Sequence, residues 1–315
     1  MIIREALSQG TADLKFAEIK TPGLDASLLL SHVLNKSRSE LLASSSETLS
    51  ETACEEYCAL IERRCFGECA AYLTGKKEFF GLDFKVNHSV LVPRPDTETL
   101  VEQALIMLGE RSLASSGTDK IESRSANAKR GAKVLDLCAG SGAIAVALKH
   151  EKPEIEIHAA DISSEALEVA KENAARLLGE NKMFLYHGDL FDALSSPVFG
   201  SLTPNSELEA PNKKFNLIVS NPPYIPSNEI ETLSAEARNE PRIALDGGAS
   251  GIEIINRIID NAPEYLENSG VLLMEADPRQ MDSIKILLEN KGFKSIKTYN
   301  DLSSSERVIG GVYEK

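Results

Sequence analysis

The first part of the chain places apolar residues three and four positions apart, the spacing that gives a helix one apolar face. The pattern occurs in REALSQGTADLKFAEI, DASLLLSHVL and ETACEEYCALIERRC. Asp25 and Ser50 are candidate N-caps for the second and third of these helices. We therefore predict a small all-α domain over residues 1–69.

The pattern changes to short strands between residues 70 and 93. AYLT, KEFFGLDFKV and SVLV are strand candidates, with Gly75 and Gly81 at the turns, and they predict a β-hairpin that joins two domains. A helix is expected after the prolines of PRPDTETLVEQAL. Residues 109–131 are polar and Ser-rich without periodicity, which indicates a mobile insert.

Apolar runs alternate with amphipathic segments over the rest of residues 94–315. Such alternation is typical of a doubly wound α/β domain, in which helices cover both faces of a mostly parallel sheet. Helices are expected at 142–149, 164–178, 251–267 and 278–291, and seven strands at KVLDLC, IEIHAAD, MFLYHG, FNLIVS, VLLMEA, FKSIKTY and ERVIGGVY.

Composition and charge narrow the classes of function. The 315 residues include 48 acidic and 34 basic side chains, for a formal net charge of −14. This charge disfavours nucleic acid as the main partner, because phosphate binding relies on Lys and Arg. No stretch predicts a signal peptide or a membrane span, which favours the cytoplasm.

The four cysteines of the N-terminal region share helical spacing, so we expect reduced, packed thiols and no metal site. They are Cys54, Cys58, Cys65 and Cys69.

A glycine loop follows the first strand of the predicted sheet, in DLCAGSGAIAVAL. Gly140 and Gly142 allow a tight turn against a ligand at the start of a helix. Asp161, 21 residues after Gly140, ends the next strand and can accept both hydroxyls of a ribose. The loop also satisfies the loose G-x-G-x-x-A fingerprint, so a nicotinamide-dependent dehydrogenase stays open here.

Two further strand ends carry candidate ligand contacts. In HGDLF, Asp189 can approach the edge of an adenine ring, and Leu190 can pack against the face of that ring. In IVSNPPYIP, the Asn221 side-chain oxygen and the Pro222 carbonyl can accept the two hydrogens of a planar NH2 group, and Tyr224 can stack on it. This arrangement lacks a strong base, which suits methylation of a nitrogen by positioning.

The chain resembles a known family at several stretches. NPPY after such a glycine loop is similar to the class I S-adenosylmethionine-dependent methyltransferases that modify amide or exocyclic nitrogens. LVPRPDTETLVEQAL, EPRIALDGGASGIEIINRII, LENSGVLLMEADPRQ and DLSSSERVIGGVY resemble the HemK/PrmC-type protein-(glutamine N5) methyltransferases of peptide chain release factors. PRPDTE together with EPRIALDGG is the most specific part.

The resemblance implies a substrate, a cofactor and their sites. The glutamine of the Gly-Gly-Gln loop in a class I release factor would enter the crevice, while the N-terminal helices contact the factor elsewhere. The implied substrate contacts are Arg94, Pro95, Asn221, Pro222, Pro223 and Tyr224, with Asn221, Pro222 and Tyr224 as the catalytic set. The implied S-adenosylmethionine contacts are Cys138, Ala139, Gly140, Ser141, Gly142, Asp161, Asp189, Leu190 and Asn221.

Four alternatives remain at this point. A ribosomal-protein glutamine methyltransferase would share NPPY, and a DNA or RNA amino-methyltransferase would need a basic surface that the net charge disfavours. A dehydrogenase would need hydride-transfer groups that are not found in the sequence. A binding module without activity is the fourth.

The segment NEIETLSAEARNEPR after Tyr224 is interpreted as solvated, with a mobile lid as the alternative.

Overall fold

A computed structural model describes residues 1–114, 131–179, 183–200 and 214–315. The chain folds as two compact units. The first, the helical unit, comprises residues 1–76, 86–88 and 231–240, and the second, the sheet unit, comprises residues 77–85, 89–230 and 241–315.

The helical unit contains the predicted amphipathic helices. Their apolar faces meet in a core that includes Leu14, Leu29, Leu30 and Tyr57. Its helices are α1 (Ile3–Phe16), α2 (Pro22–Leu34), α3 (Arg38–Ala43), α4 (Glu51–Cys65), α5 (Ala70–Thr74) and, from the later segment, α9 (Ala235–Arg238).

The two predicted N-caps have different outcomes. The Ser50 side chain accepts a hydrogen bond from the Ala53 amide at the start of α4, so this cap is confirmed. Asp25 is not a cap, because α2 begins earlier, at Pro22. The Asp25 carboxylate is buried and accepts a hydrogen bond from the Arg64 guanidinium.

The segment between the predicted domains differs from the prediction in two places. AYLT is not a strand but helix α5, which ends at Gly75 with a φ of 71°. SVLV is not a strand in the described part of the chain, although Val90 and Val92 are buried. The hairpin is present as β1 (Lys76–Phe79) and β2 (Leu82–Lys85), and it contributes Phe79 and Phe84 to the core of the sheet unit.

The sheet unit contains the predicted seven-stranded, mostly parallel sheet. The order across it is β5-β4-β3-β6-β7-β9-β8, with β9 antiparallel to both neighbours. The sequence order reverses between β3 and β6, which places a crevice at their carboxyl ends. The strands are β3 (Lys133–Leu137), β4 (Glu156–Asp161), β5 (Met183–His187), β6 (Phe215–Ser220), β7 (Leu266–Glu275), β8 (Phe293–Asn300) and β9 (Glu306–Tyr313).

Helices of the sheet unit cover the sheet and start near the predicted positions. They are α6 (Pro95–Ala114), α7 (Ala143–Glu151), α8 (Ser164–Leu178), α10 (Glu253–Tyr265) and α11 (Met281–Asn290). Helix α6 continues to Ala114, so the predicted insert at 109–131 is wrong over its first residues. Residues 115–130 of that insert lie outside the described residues. Over the described ranges, no helix has the length and apolar character needed to span a bilayer.

The segment predicted to be solvated after Tyr224 is partly ordered against helices. Residues 231–240 group with the helical unit, and Glu240 is buried there. The Asn239 side-chain amide donates a hydrogen bond to the Gly67 carbonyl, and Arg64 forms an ion pair with Glu236. Most side chains of residues 231–240 are nevertheless exposed, which agrees with the solvated interpretation, while these contacts tie the segment to the helical unit.

Candidate active site

A cavity of about 500 Å³ lies at the carboxyl ends of the central strands of the sheet unit. This volume is within the usual range for small-molecule sites. The predicted residues that line it are Arg94, Cys138, Ala139, Gly140, Ser141, Asp161, Asp189, Leu190, Asn221 and Pro223. Pro95, Gly142, Pro222 and Tyr224 were also predicted as ligand contacts, but they are not among the described residues that line the cavity.

The glycine loop has the left-handed backbone that its sequence predicts. Gly140 has a φ of 53°, and a Cβ placed there would meet no atom within 4 Å, so this glycine opens directly onto free space. Gly142 has a φ of 76°, but its missing Cβ would lie 3.1 Å from Ala170 Cβ on α8. Gly142 therefore serves helix packing, which explains why it does not line the cavity.

Cys138 is the unusual residue of this loop. It has a φ of 59°, a backbone conformation that side chains with a Cβ rarely adopt. Burial raises the pKa of its thiol, and the nearby carboxylate of Asp161 acts in the same direction. The thiol therefore stays protonated at neutral pH, which disfavours a nucleophilic role.

Asp161 connects the glycine loop to the next helix. Its Oδ2 accepts a hydrogen bond from the Gly140 amide at 2.8 Å, and its Oδ1 accepts one from the Ser163 amide at 2.9 Å. Burial raises the pKa of this carboxyl, and the two backbone amides oppose the increase. Because each carboxylate oxygen has two lone pairs, Asp161 can still accept hydrogen bonds from a ligand in the cavity.

Asp136 supports the loop from inside β3 and was missed at the sequence level. It is fully buried, and its Oδ2 accepts a hydrogen bond from the Ala145 amide in the first turn of α7 at 3.1 Å. Burial raises the pKa of Asp136 to about 8, so the carboxyl is largely protonated at neutral pH. The sequence feature that could have identified Asp136 is its place as a single acidic residue within the apolar run VLDL.

The predicted adenine contact is already paired in this structure. Arg257 Nη2 of α10 donates to Asp189 Oδ2 at 2.7 Å, and both side chains are about half exposed. Arg257 and Ile254 line the cavity beside Leu190. Neither α10 residue was predicted, because 68 residues separate Asp189 from its partner and no local pattern connects them.

The NPPY turn (Asn221–Tyr224) follows β6 at the far side of the cavity. Asn221 Nδ2 donates to Thr97 Oγ1 on α6 at 3.2 Å. This bond fixes the plane of the amide and turns its oxygen away from Thr97. Asn221 and Pro223 line the cavity, whereas Pro222 is buried.

Tyr224 is held at both ends by groups from other elements. Its hydroxyl donates to Glu275 Oε1 on β7 at 3.1 Å, and its backbone carbonyl accepts from Gln280 Nε2 at 2.9 Å. Burial raises the pKa of Tyr224 and also raises the pKa of Glu275 to about 7. The ring is therefore tied to β7 and to Gln280, whereas the sequence predicted that it stacks on the substrate NH2 group.

The segment 245–251 encloses the NPPY turn. The Ile225 amide donates to the Leu245 carbonyl at 3.0 Å, and the Gly247 amide donates to the Ile225 carbonyl at 2.9 Å. A Cβ at Gly251 would lie 2.5 Å from the Tyr224 carbonyl oxygen. A Cβ at Gly247 would likewise lie 2.7 Å from Tyr224 Cα, so no side chain fits at these two positions beside the turn.

The charged groups of the cavity indicate which chemistry it can perform. Among its described lining residues there is no histidine or lysine, and the charged side chains are three aspartates and three arginines: Asp161, Asp189, Asp246, Arg94, Arg242 and Arg257. A fixed amide beside a nucleoside-sized cavity of balanced charge is suited to positioning two reactants, not to strong acid or base catalysis. The hydride-transfer groups that a dehydrogenase needs are likewise not among the described lining residues.

Comparisons with known proteins give two family matches. Residues 5–75 match the PrmC N-terminal domain, and residues 116–239 match the methyltransferase small domain. A release factor glutamine methyltransferase of Vibrio cholerae is 36% identical over 99% of this chain and 97% of its own length. One from Escherichia coli is 34% identical over 99% of this chain and 97% of its own length.

A solved structure supports the fold alone. The hMettl16 catalytic domain, solved in complex with MAT2A 3'UTR hairpin 6, has a TM-score of 0.53 and 11% sequence identity, covering 81% of this chain and 82% of that one. The seven-stranded sheet is thus the class I, Rossmann-like methyltransferase fold that the sequence predicted.

Proposed function

Because this chain belongs to the family of release factor glutamine methyltransferases, we propose that it methylates the side-chain amide nitrogen (N5) of the glutamine in the Gly-Gly-Gln loop of class I peptide chain release factors. The methyl donor is S-adenosylmethionine. The observation that carries this proposal is the fixed amide of Asn221 at the edge of the cavity that contains the glycine loop. The site would be that of a cytoplasmic enzyme of translation termination.

The cavity residues fit S-adenosylmethionine. The free space at Gly140 admits a ligand against the backbone, and Asp161 retains lone pairs for the ribose hydroxyls. Leu190 offers an apolar surface to the adenine ring, and the Asp189–Arg257 pair lies beside it. When bound, S-adenosylmethionine supplies a methyl group activated by the adjacent sulfonium charge.

The NPPY turn would hold and orient the substrate glutamine. In this proposal the Asn221 side-chain oxygen and the Pro222 carbonyl each accept one hydrogen of the substrate NH2 group, which fixes the direction of the nitrogen lone pair. Thr97 keeps the Asn221 amide in this orientation, and Tyr224 keeps the turn in place through Glu275. Arg94, Pro95 and Pro223 would form the walls around the glutamine side chain.

Substitutions at Asn221 test the role assigned to the turn. Asn221→Ala removes one acceptor, so we expect kcat to fall by roughly 10²- to 10³-fold, as for loss of a preorganised polar contact to a reacting group. The affinity for S-adenosylmethionine should change by less than about tenfold, because most cofactor contacts remain. Methyl transfer to a release factor, measured with labelled cofactor, gives kcat, and calorimetry gives the affinity.

The controls separate a chemical effect from a folding effect. Asn290→Ala removes an exposed asparagine at the end of α11 and should leave both quantities unchanged. A release factor with Gly-Gly-Glu in place of Gly-Gly-Gln should accept no label. Equal rates for Asn221→Ala and the unaltered chain would contradict the proposed role of the amide.

A further inference from the structure

A second cavity, of about 330 Å³, lies inside the helical unit between α1 and α4. We name it the α1–α4 cavity. Ala6 and Gly10 of α1 and Tyr57 and Ile61 of α4 form its buried part, and Asp13, Glu62 and Phe66 are among the other lining residues. Nothing in the proposed methyl transfer uses it.

Tyr57 gives this cavity an unpaired polar group. Its side chain is only 2% exposed, yet its hydroxyl has no hydrogen-bond partner among the described residues. The hydroxyl lies close to α1, because a Cβ at Gly10 would be 2.3 Å from it. Buried hydroxyl groups are almost always paired, so an orphaned one beside a cavity indicates a missing partner.

The charged side chains that line the cavity have one sign, and Met1 is also among the lining residues. Asp13 and Glu62 are its ionisable carboxylates, and no lysine or arginine side chain is among its described lining residues. The Gln9 side-chain amide donates to Asp13 Oδ1 at 2.8 Å, which leaves Asp13 Oδ2 for another donor. A cationic group in the cavity would meet both carboxylates.

An apolar surface continues from the cavity to the exterior. Ile61 is buried in its wall, while Phe66 at the end of α4 is 79% exposed. A long side chain with an apolar stem and a charged end matches such a surface, because the stem covers apolar groups while the end meets the acids. Lysine and arginine are the side chains with these two properties.

We propose that the α1–α4 cavity docks a lysine or arginine side chain on the surface of the protein substrate. Its stem packs against Ile61 and Phe66, its charged end meets Asp13 and Glu62, and its N–H groups reach the Tyr57 hydroxyl. This inference rests on the proposed function, since it takes the occupant to be part of the methylated protein. It assigns the cavity to substrate selection, apart from the chemical step.

The test compares two substrates with the full-length chain. One is an intact class I release factor, and the other is a short peptide that contains the Gly-Gly-Gln loop without lysine or arginine. In the double variant Asp13→Asn/Glu62→Gln, KM for the intact factor should rise about three- to tenfold. This KM should also depend less on the salt concentration than it does for the unaltered chain. Kinetics on the peptide should match those of the unaltered chain.

Two further variants distinguish docking from a general charge or structural effect. Glu55→Gln/Glu56→Gln removes the same number of carboxylates from exposed positions of α4 outside the cavity, and it should leave KM unchanged. Tyr57→Phe removes only the orphaned hydroxyl. If that hydroxyl contacts the substrate, KM for the intact factor rises although the fold is retained; a structural role predicts no change in KM.

Each outcome decides one claim. Normal methylation of the intact factor with an unchanged KM in the Asp13/Glu62 variant would overturn the docking proposal, as would an equal rise in the Glu55/Glu56 control. An unaltered chain that methylates neither substrate would instead contradict the proposed function, and with it the occupant named for the cavity. A rise in KM confined to the intact factor and to the cavity variants supports docking.

Discussion

At the scale of single residues, strained or buried polar groups surround the cavity of the sheet unit. Cys138 has a positive φ, Asp136 is a buried acid, and Glu275 is a buried acid bonded to Tyr224. The sequence predicted Asp161 and Asn221, because polar residues at strand ends meet at one edge of a parallel sheet. It could not predict Thr97 as the Asn221 partner, since 124 residues separate the two.

The strain at Cys138 leads to a stability prediction. Cys138→Gly and Cys138→Ala both remove the thiol, but only glycine removes the Cβ that disfavours a φ of 59°. Glycine relieves this strain but also gives the unfolded chain more conformational freedom, which offsets part of the gain. We therefore expect the free energy of unfolding of the glycine variant to exceed that of the alanine variant by about 0.5–1 kcal/mol. Thermal unfolding of the two variants measures this difference, and a more stable alanine variant would show that the loop is not strained.

The buried carboxyl of Glu275 leads to a pH prediction. Burial raises its folded-state pKa to about 7, from the ordinary glutamate value of 4.5. The contribution of the protonated carboxyl to the free energy of unfolding is therefore fully present below about pH 4.5. It is lost as the pH rises through 7. Glu275→Gln keeps an acceptor for Tyr224 without this titration, so its stability relative to the unaltered chain should increase between pH 5 and 8.

Denaturation at several pH values tests this expectation. Glu289→Gln, at an exposed position of α11, is the matched control and should show a constant difference from the unaltered chain. A difference between Glu275→Gln and the unaltered chain that does not change with pH would show that Glu275 has no raised pKa.

At the scale of elements, long periodic segments were predictable and short ones were not. Helices α1, α2 and α4 and the strands of the seven-stranded sheet lie close to where the sequence placed them. AYLT, with only four residues, fits a strand or a helix equally, and Gly75 ends it as a left-handed C-cap. SVLV is a short, Val-rich apolar run typical of a strand, but the described residues provide no neighbouring strand for it to pair with.

Arg64 links several elements of the helical unit. Its Nε donates to Asp25 Oδ2 on α2 at 2.8 Å, and its Nη1 donates to the Glu68 carbonyl at 3.2 Å. Its Nη2 forms an ion pair with Glu236 of α9 at 3.3 Å. Arg64 is only 3% exposed. No sequence pattern indicated this, because residue 236 lies 172 positions from Arg64.

Removal of Arg64 should destabilise the helical unit strongly. Arg64→Met leaves the buried Asp25 carboxylate without its partner, so we expect a loss of about 3–5 kcal/mol. Arg63→Met breaks the exposed pair with Glu68 and should cost no more than about 1 kcal/mol. Amide hydrogen exchange in α2 and α4 measures both effects; equal protection in the two variants would contradict the structural role of Arg64.

At the scale of the whole molecule, composition and fold agree on the type of partner. A net charge of −14 disfavours a nucleic-acid phosphate backbone and is compatible with a protein substrate. The mostly parallel, doubly wound sheet was predictable from the alternation of strands and helices, whereas the grouping of residues 231–240 with the helical unit was not. That grouping depends on contacts between distant segments, which periodicity does not report.

The measurement that tests the central claim most directly is fragment mass spectrometry of a class I release factor incubated with this protein and S-adenosylmethionine. We predict the mass of one added methyl group, located on the glutamine of the Gly-Gly-Gln loop and strongly reduced with Asn221→Ala. A factor that stays unmodified at this glutamine, while calorimetry shows intact cofactor binding, would contradict the proposed substrate and direct the search to a ribosomal protein or a nucleic acid.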